Sequence, residues 1–216
     1  MATPKLVTLS DPRSATAEAF RTLRTNLMFS SVEKPIQTLL VTSPVADEGK
    51  SQAIANLAVT FAQAGNKTIL VDADMRRPAQ HEIWGIKNIG LTTMMIDDTA
   101  LSNPPLQQTG IDNLMVLPAG AEPPNPADLL SSKRMNEIIG VLKARANYVL
   151  FDAPPILAAT DASLLGVKVD GVVIVVKAGH SRRDQVSRAH EALRQVNVNV
   201  LGAALTDAPR QGGTGY

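Results

Sequence analysis

Short, wholly apolar runs recur along the chain: "TLLV" before Thr42, "TILV" before Asp72, "YVLF" before Asp152, "GVVIVV" before Lys177 and "VLGAAL" before Thr206. Segments with helical periodicity lie between most of them. Strands that are apolar at every position need cover on both faces, and their alternation with helices implies parallel pairing. The expected fold is therefore α/β, a doubly wound, mostly parallel sheet flanked by helices. Ligands of such sheets bind beyond the carboxyl ends of the strands, and the aspartates and the glycine-containing loop considered below fall at those ends.

The spacing predicts a helix from about Ala15 to Phe29, with Phe20, Leu23 and Leu27 on one face. After Pro35, "QTLLVTS" reads as a strand and "KSQAIANLAVTFAQAG" as a helix ended by Gly65. "KTILVDAD" is the next strand, and a less regular stretch with short helices leads to "NLMVLP". "AGAEPPNPAD" reads as a loop and "SSKRMNEIIGVLKARA" as a helix opened by Ser. "YVLFDAPP" and "GVVIVVKAG" are strands around a short helix in "TDASLLGVK". A helix from about Arg182 to Gln195 and a strand in "NVLGAALT" complete the pattern. Residues 1–13 are expected to be a flexible arm, 14–207 one domain, and 208–216 a flexible, Gly-rich tail.

The 216 residues suffice for one such domain with a full core. A net charge of +1 and 3% aromatic residues argue against a basic, stacking groove for nucleic acid. The absence of cysteine excludes disulfides and thiolate metal sites and suits a cytoplasmic chain. "GVVIVV" is far too short to span a bilayer, and the N-terminus has no apolar signal-peptide segment. Membrane association is thus expected to be peripheral and to come through a partner.

A strand, a tight loop and "GKS" opening a helix form the context of a phosphate-binding loop. In "TSPVADEGKS" the first glycine of the usual pattern is replaced by Pro44. Backbone N–H groups and a helix N-terminus would cradle phosphates, Lys50 would reach the outer ones, and Ser51 would ligate Mg²⁺. Asp47 and Glu48 can serve through their N–H groups with their carboxylates turned to solvent.

Asp72 and Asp74 end the strand in "ILVDAD", and Asp152 ends that in "YVLFDAPP". Such aspartates, beside a phosphate loop, are the expected Mg²⁺-side carboxylates; any one of them alone could equally be a turn or cap residue. With two acceptors in "DAD", one can hold Mg²⁺ while the other orients a nucleophile. Arg76 and Arg77 follow, able to offset transition-state charge, pair with an aspartate or remain surface charges.

With these residues in view the chain resembles the bacterial tyrosine kinases (BY-kinases) of capsular and exopolysaccharide systems, P-loop relatives of the partition and division-site ATPases. The family's loop reads roughly [GAS]-x-x-P-x-x-G-K-[ST], so Ser43 takes the small-residue position, while Ala46 stands where Pro is usual and Asp47 where Gly or Ser is common. Its D-x-D-x-R motif matches Asp72, Asp74 and Arg76, and Asp152 before Pro154 and Pro155 matches a third motif. "LPAGAEPPNPADLLSS" is a further family signature. Val45 stands where partition-type ATPases carry an extra lysine.

The resemblance implies a non-specific protein tyrosine kinase dependent on ATP and Mg²⁺. Lys50, Asp72, Asp74 and Asp152 would be catalytic. Ser43, Asp47, Glu48, Gly49, Lys50, Ser51, Gln52 and Arg76 would line the nucleotide, and Ser51, Asp72 and Asp152 would hold the metal ion or its waters. "EAFRTLR" fits the family's E-x-x-R-x-x-R ring-assembly motif through Glu18, Arg21 and Arg24, which cover about 120° of helix surface. A membrane polysaccharide co-polymerase would supply an activating cytosolic tail, and protein tyrosines would be substrates. Of the family's C-terminal tyrosine cluster this sequence holds Tyr216, the expected phosphorylation site, since Tyr148 opens a strand; either the cluster is nearly absent or the sequence stops at its start. Thr206 replaces an Asn that relatives often carry near the base. The alternatives are a partition-type ATPase switch and a nucleotide-binding interaction module.

Overall fold

Leu39 and Val41 face one side of their strand and Leu40 the other, and all three are buried. A strand covered on both sides must lie inside a sheet flanked by two helical layers, and the computed structural model, which describes residues 4–30 and 35–208, has that architecture. The strands are β1 (Thr38–Thr42), β2 (Thr68–Asp72), β3 (Gln107–Gln108), β4 (Leu114–Leu117), β5 (Tyr148–Asp152), β6 (Gly171–Lys177) and β7 (Val200–Thr206). They form one sheet in the order β3-β4-β2-β5-β1-β6-β7. Every pairing is parallel except that of β3 with β4.

The helices are α1 (Val7–Ser10), α2 (Ala15–Phe29), α3 (Lys50–Gln63), α4 (Gln80–Trp84) and α5 (Leu91–Ile96), followed by α6 (Thr99–Ser102), α7 (Pro126–Ser131), α8 (Lys133–Lys143), α9 (Asp161–Gly166) and α10 (Arg183–Gln195). On one face Leu39, Val41, Leu70 and Leu150 pack with Ile54, Leu57 and Phe61 of α3 and Leu27 of α2. On the other, Leu40, Val71, Phe151 and Ile174 pack with Ile138 and Leu142 of α8, Leu165 of α9 and Leu193 of α10.

The helix ends follow local chemistry. The Ser14 side chain caps α2 by accepting from the Ala17 N–H at 3.2 Å, and Ser132 caps α8 through the Met135 N–H at 3.2 Å. Gly65 stops α3 with φ 83°, a conformation that costs glycine little. Tyr148 is half-buried, its ring centroid 4.4 Å from that of Phe61. Among the described residues no helix is long and apolar enough to cross a membrane.

Two stretches depart from expectation. The arm expected to be loose over residues 1–13 is packed where it is described. Leu6 is fully buried, and the Thr8 N–H and hydroxyl both donate to Asn56 Oδ1 of α3, at 3.0 and 2.9 Å. Polar composition suggested mobility, but a buried Asn on α3 supplies the partner that orders this segment. The "AGAEPPNPAD" loop gives way to α7 at its Pro126, which stands at the first helical position, where a missing N–H costs nothing. The tail expected over 208–216 lies, beyond Ala208, outside the described residues.

Candidate active site

Parallel pairing sets Asp72 of β2 directly beside Asp152 of β5, in register at the carboxyl ends of neighbouring strands. β5 lies next to β1, whose end feeds the glycine-containing loop and α3. The loop is braced from β5's continuation: Thr42 Oγ1 donates to Pro154 O at 2.7 Å, and the Ile156 N–H donates to Ser43 O at 2.8 Å. Ser43 is buried, and its hydroxyl donates to Val45 O at 2.7 Å. Asp47 (φ 63°) and Gly49 (φ 77°) take left-handed conformations that curl the loop, and Asp is among the few non-glycine residues that accept one.

Lys50 begins α3, and its ammonium lies 2.9 Å from Asp74 Oδ2, 2.9 Å from Asp152 Oδ1 and 3.2 Å from Ser51 Oγ. Burial disfavours the charge on Lys50, yet the Asp152 and Asp74 carboxylates outweigh it and raise the pKa further above the usual lysine range. Asp74 and Asp152 are both buried.

Asp72 has a different set of partners. Oδ2 accepts from the Ala79 and Gln80 N–H groups at 2.9 and 2.8 Å, and Oδ1 accepts from the Asp74 N–H at 3.2 Å. Together with the Arg77 N–H bond to Asp74 Oδ1 at 3.0 Å, these bonds fold the segment after β2 around the two carboxylates. Burial, and then the charge on Asp152, push the Asp72 carboxyl up to about 8, against the Gln80 and Ala79 N–H groups and Lys50, which favour its ionised form.

The structure therefore brings together Lys50, Ser51, Asp72, Asp74 and Asp152. It directs Arg76 elsewhere: its guanidinium forms a two-pronged pair with the fully buried Asp161 of α9, both bonds at 2.9 Å. Of the roles open to Arg76 in the sequence, pairing with an aspartate is the one observed. Asp47 is exposed. Glu48 departs from the expected solvent-facing carboxylate. It is buried, Oε2 accepts from the Lys177 N–H at 2.6 Å and from the Ser181 hydroxyl, and its carbonyl accepts from Thr206 Oγ1 at 2.9 Å.

Glu48, Gly49, Gln52 and Thr206 line a cleft of about 910 Å³ that continues between α2 and β7, with Phe20 and Leu23 on its apolar side. Thr206 thus stands at the edge of the loop. Glu18, Arg21 and Arg24 lie away from the carboxylates on α2. Glu18 is exposed and pairs with Arg21 at 2.7 Å, whereas Arg24 turns toward its own chain and donates to Thr60 O at 2.7 Å. Tyr216 lies outside the described residues.

Sequence reasoning missed Gln80. Its side chain is fully buried and donates to Asp152 Oδ2 at 2.7 Å and to Ser51 O at 3.1 Å. A glutamine shortly after "DADMRR" carries no signal in its own right; only the turn built on Asp72 brings it back to β5.

The arrangement suits phosphate and Mg²⁺. A lysine at the N-terminus of a long helix, with loop N–H groups beside it, matches an anion. The donors nearby are hard oxygens, a hydroxyl and carboxylates. Among the described residues no three His, Cys, Asp or Glu side chains are grouped to hold a metal by themselves; Mg²⁺ needs only one or two carboxylates together with phosphate oxygens and waters.

Comparison with known proteins agrees with this geometry. Residues 36–204 match the family model described as "ParA: NUBPL iron-transfer P-loop NTPase". Tyrosine-protein kinase YwqD of Bacillus subtilis (strain 168) is 40% identical over 93% of this chain and 84% of its own length. Putative tyrosine-protein kinase CapB of Staphylococcus aureus is 39% identical over 95% of this chain and 90% of its own. The solved kinase domain of Escherichia coli tyrosine kinase ETK superposes with a TM-score of 0.92 at 30% identity, covering 100% of this chain and 85% of that one. Identity of this order over nearly the whole chain, on a sheet that presents a lysine and three aspartates at one end, places the protein in the bacterial tyrosine kinase family of the ParA-type P-loop NTPases.

Proposed function

We propose that this chain is a Mg·ATP-dependent protein tyrosine kinase. It transfers the γ-phosphoryl group to tyrosines on neighbouring copies of itself and on partner proteins, in the control of capsular or exopolysaccharide synthesis. The observation that carries this reading is the Lys50 ammonium, 2.9 Å from both Asp74 and Asp152 at the start of α3.

In this reading the N–H groups of residues 47–51 cradle the phosphates, and Lys50 exchanges its carboxylate partners for phosphate oxygens. Ser51 and Asp152 hold Mg²⁺ or its waters. Mg²⁺, when bound, neutralises charge on the phosphate oxygens. Asp72, gripped by three main-chain N–H groups, keeps the turn in place beside that cation. Asp74 takes the nucleophile's side and accepts the tyrosine proton. A phenol with a pKa of about 10 needs only modest help from a carboxylate. The cleft beside Glu48, Gly49, Gln52 and Thr206 receives the nucleoside end. Its apolar wall and volume of about 910 Å³ fit a ligand of that size.

Glu18 and Arg21 form the contact between copies in a ring, with Arg24 bracing α2 against α3 through Thr60 O; the ring raises the local concentration of tyrosine tails at each site. A membrane polysaccharide co-polymerase holds the ring at the inner face of the membrane and activates it through a cytosolic tail.

The test is to incubate purified protein with Mg²⁺ and ATP labelled on the γ-phosphate, with a tyrosine-containing peptide present, and to separate phosphotyrosine from free phosphate. Label on tyrosine, absent in Lys50→Met, supports the kinase. Free phosphate alone would establish an ATPase switch in its place.

A further inference from the structure

Gln80 grips both strand-end carboxylates. Its main-chain N–H donates to Asp72 Oδ2 at 2.8 Å, and its side-chain Nε2 donates to Asp152 Oδ2 at 2.7 Å and to Ser51 O at 3.1 Å. Its Oε1 accepts from the Trp84 indole N–H at 3.1 Å. The amide can face only one way: an indole nitrogen donates and never accepts, and an ionised carboxylate accepts and never donates. Both Gln80 and Trp84 are buried, so a lost bond here is not replaced by bulk water.

With Oδ2 fixed by Gln80, the Asp152 carboxylate presents Oδ1 to Lys50, 2.9 Å away. The bond to Ser51 O links the same amide to the first turn of α3. An unbroken chain of hydrogen bonds thus runs from Lys50 through Asp152 and Gln80 to Trp84.

We propose that Gln80 is a positioning residue for the cation side of the site: it orients Asp152 and passes the state of that carboxylate to Trp84. The inference rests on the reading of Asp152 and Ser51 as Mg²⁺-side residues and deepens it. Removal of a group that orients a metal-side ligand typically costs about 10–100-fold in metal affinity. Gln80→Met keeps the side-chain length and removes both donors. Trp84 is the chain's single tryptophan, so its emission reports this chain of bonds without a label.

The experiment titrates the full chain with ADP, without and with Mg²⁺, following Trp84 emission and, in parallel, heat of binding. In wild type, Mg²⁺ should tighten ADP binding and shift Trp84 emission beyond the change caused by ADP alone. In Gln80→Met the affinity for ADP without Mg²⁺ should stay within about twofold, while the tightening by Mg²⁺ falls about 10–100-fold and the Mg²⁺-dependent emission change disappears. Retention of both in a folded Gln80→Met protein would overturn the inference while leaving the site reading intact, provided Asp152→Asn abolishes the tightening. If Gln80→Met does not fold, wild type still decides: Mg²⁺-dependent tightening with no emission change would overturn the relay. No tightening by Mg²⁺ in wild type would overturn the inference together with the site reading beneath it.

Discussion

Glu48 Oε2 accepts the Lys177 N–H at 2.6 Å, so a side chain of the phosphate loop ties that loop to the end of β6. The Ser181 hydroxyl joins the same oxygen. Glu48→Ala frees the loop from β6 and leaves the Lys177 N–H with Ser181 Oγ, 2.8 Å away, as its remaining acceptor. The expected cost is about 0.5–1.5 kcal/mol of stability, with weaker nucleotide binding, whereas Glu48→Gln keeps an acceptor and most of both. Thermal unfolding and calorimetric nucleotide titration of the two variants check this. Equal losses in both would point to the charge rather than to the tether.

Lys50 is the cation on which two buried carboxylates depend. Lys50→Met should abolish phosphoryl transfer and nucleotide binding. It should also destabilise the protein by about 3–5 kcal/mol, because Asp74 and Asp152 lose their partner. Asp152→Asn should keep Mg²⁺-free nucleotide binding and lose most of the Mg²⁺ dependence. Denaturant unfolding and nucleotide titration separate the two effects.

On α2, Glu18 is exposed and Arg21 partly so, while Arg24 donates to Thr60 O within its own chain. If the exposed part of this face joins copies, the triple Ala variant should be monomeric, folded and able to bind nucleotide. Light scattering provides the check. The Arg24 substitution should add a small stability loss, which Arg24→Ala alone will show.

Away from the site, Asp170 Oδ2 accepts from the Thr38 N–H and hydroxyl and from the Gln37 N–H. Burial raises the Asp170 pKa, but the Thr38 and Gln37 bonds outweigh it and hold it below its ordinary 3.8. A carboxyl depressed on folding stabilises the protein above its unfolded pKa and loses that contribution as pH falls through the folded one. Asp170→Ala should cost about 1–3 kcal/mol at neutral pH, toward the lower end because the carboxylate is partly exposed. The gap to wild type should stay level down to about pH 4 and close below it. Unfolding curves between pH 7 and pH 3 test the sign.

The legible parts of the chain are those in which local pattern and tertiary need coincide. The apolar strands β1, β2, β5 and β6 announced a covered parallel sheet, whereas the equally apolar β7 lies at the sheet's edge with Leu205 exposed. The aspartates ending "ILVDAD" and "YVLFD" announced the ligand end, because register in a parallel sheet sets strand ends side by side. α1 was missed because its order comes from Asn56, distant in sequence. β3 has only two residues, both polar, and its pairing with β4 leaves no periodic trace. Glu48 and Gln80 were opaque for a common reason: each is a polar side chain buried through a partner on another strand or helix. The signature around "LPAGAEPP" becomes physical only in three dimensions. Gly120 takes φ 89°, and a Cβ there would meet Thr92 Oγ1 at 2.1 Å.

The most direct measurement of the central claim is transfer between chains. Lys50→Met protein carries an intact Tyr216 but no working site, and Tyr216→Phe protein carries the reverse. The two are mixed with Mg·ATP, and phosphopeptides are assigned by mass spectrometry. Phosphate should appear on Tyr216 of the Lys50→Met chain, in the mixture and not in either protein alone; that result is the one expected of a kinase acting between neighbours. ATP hydrolysis with every tyrosine unlabelled, in the mixture and in wild type alike, would contradict it.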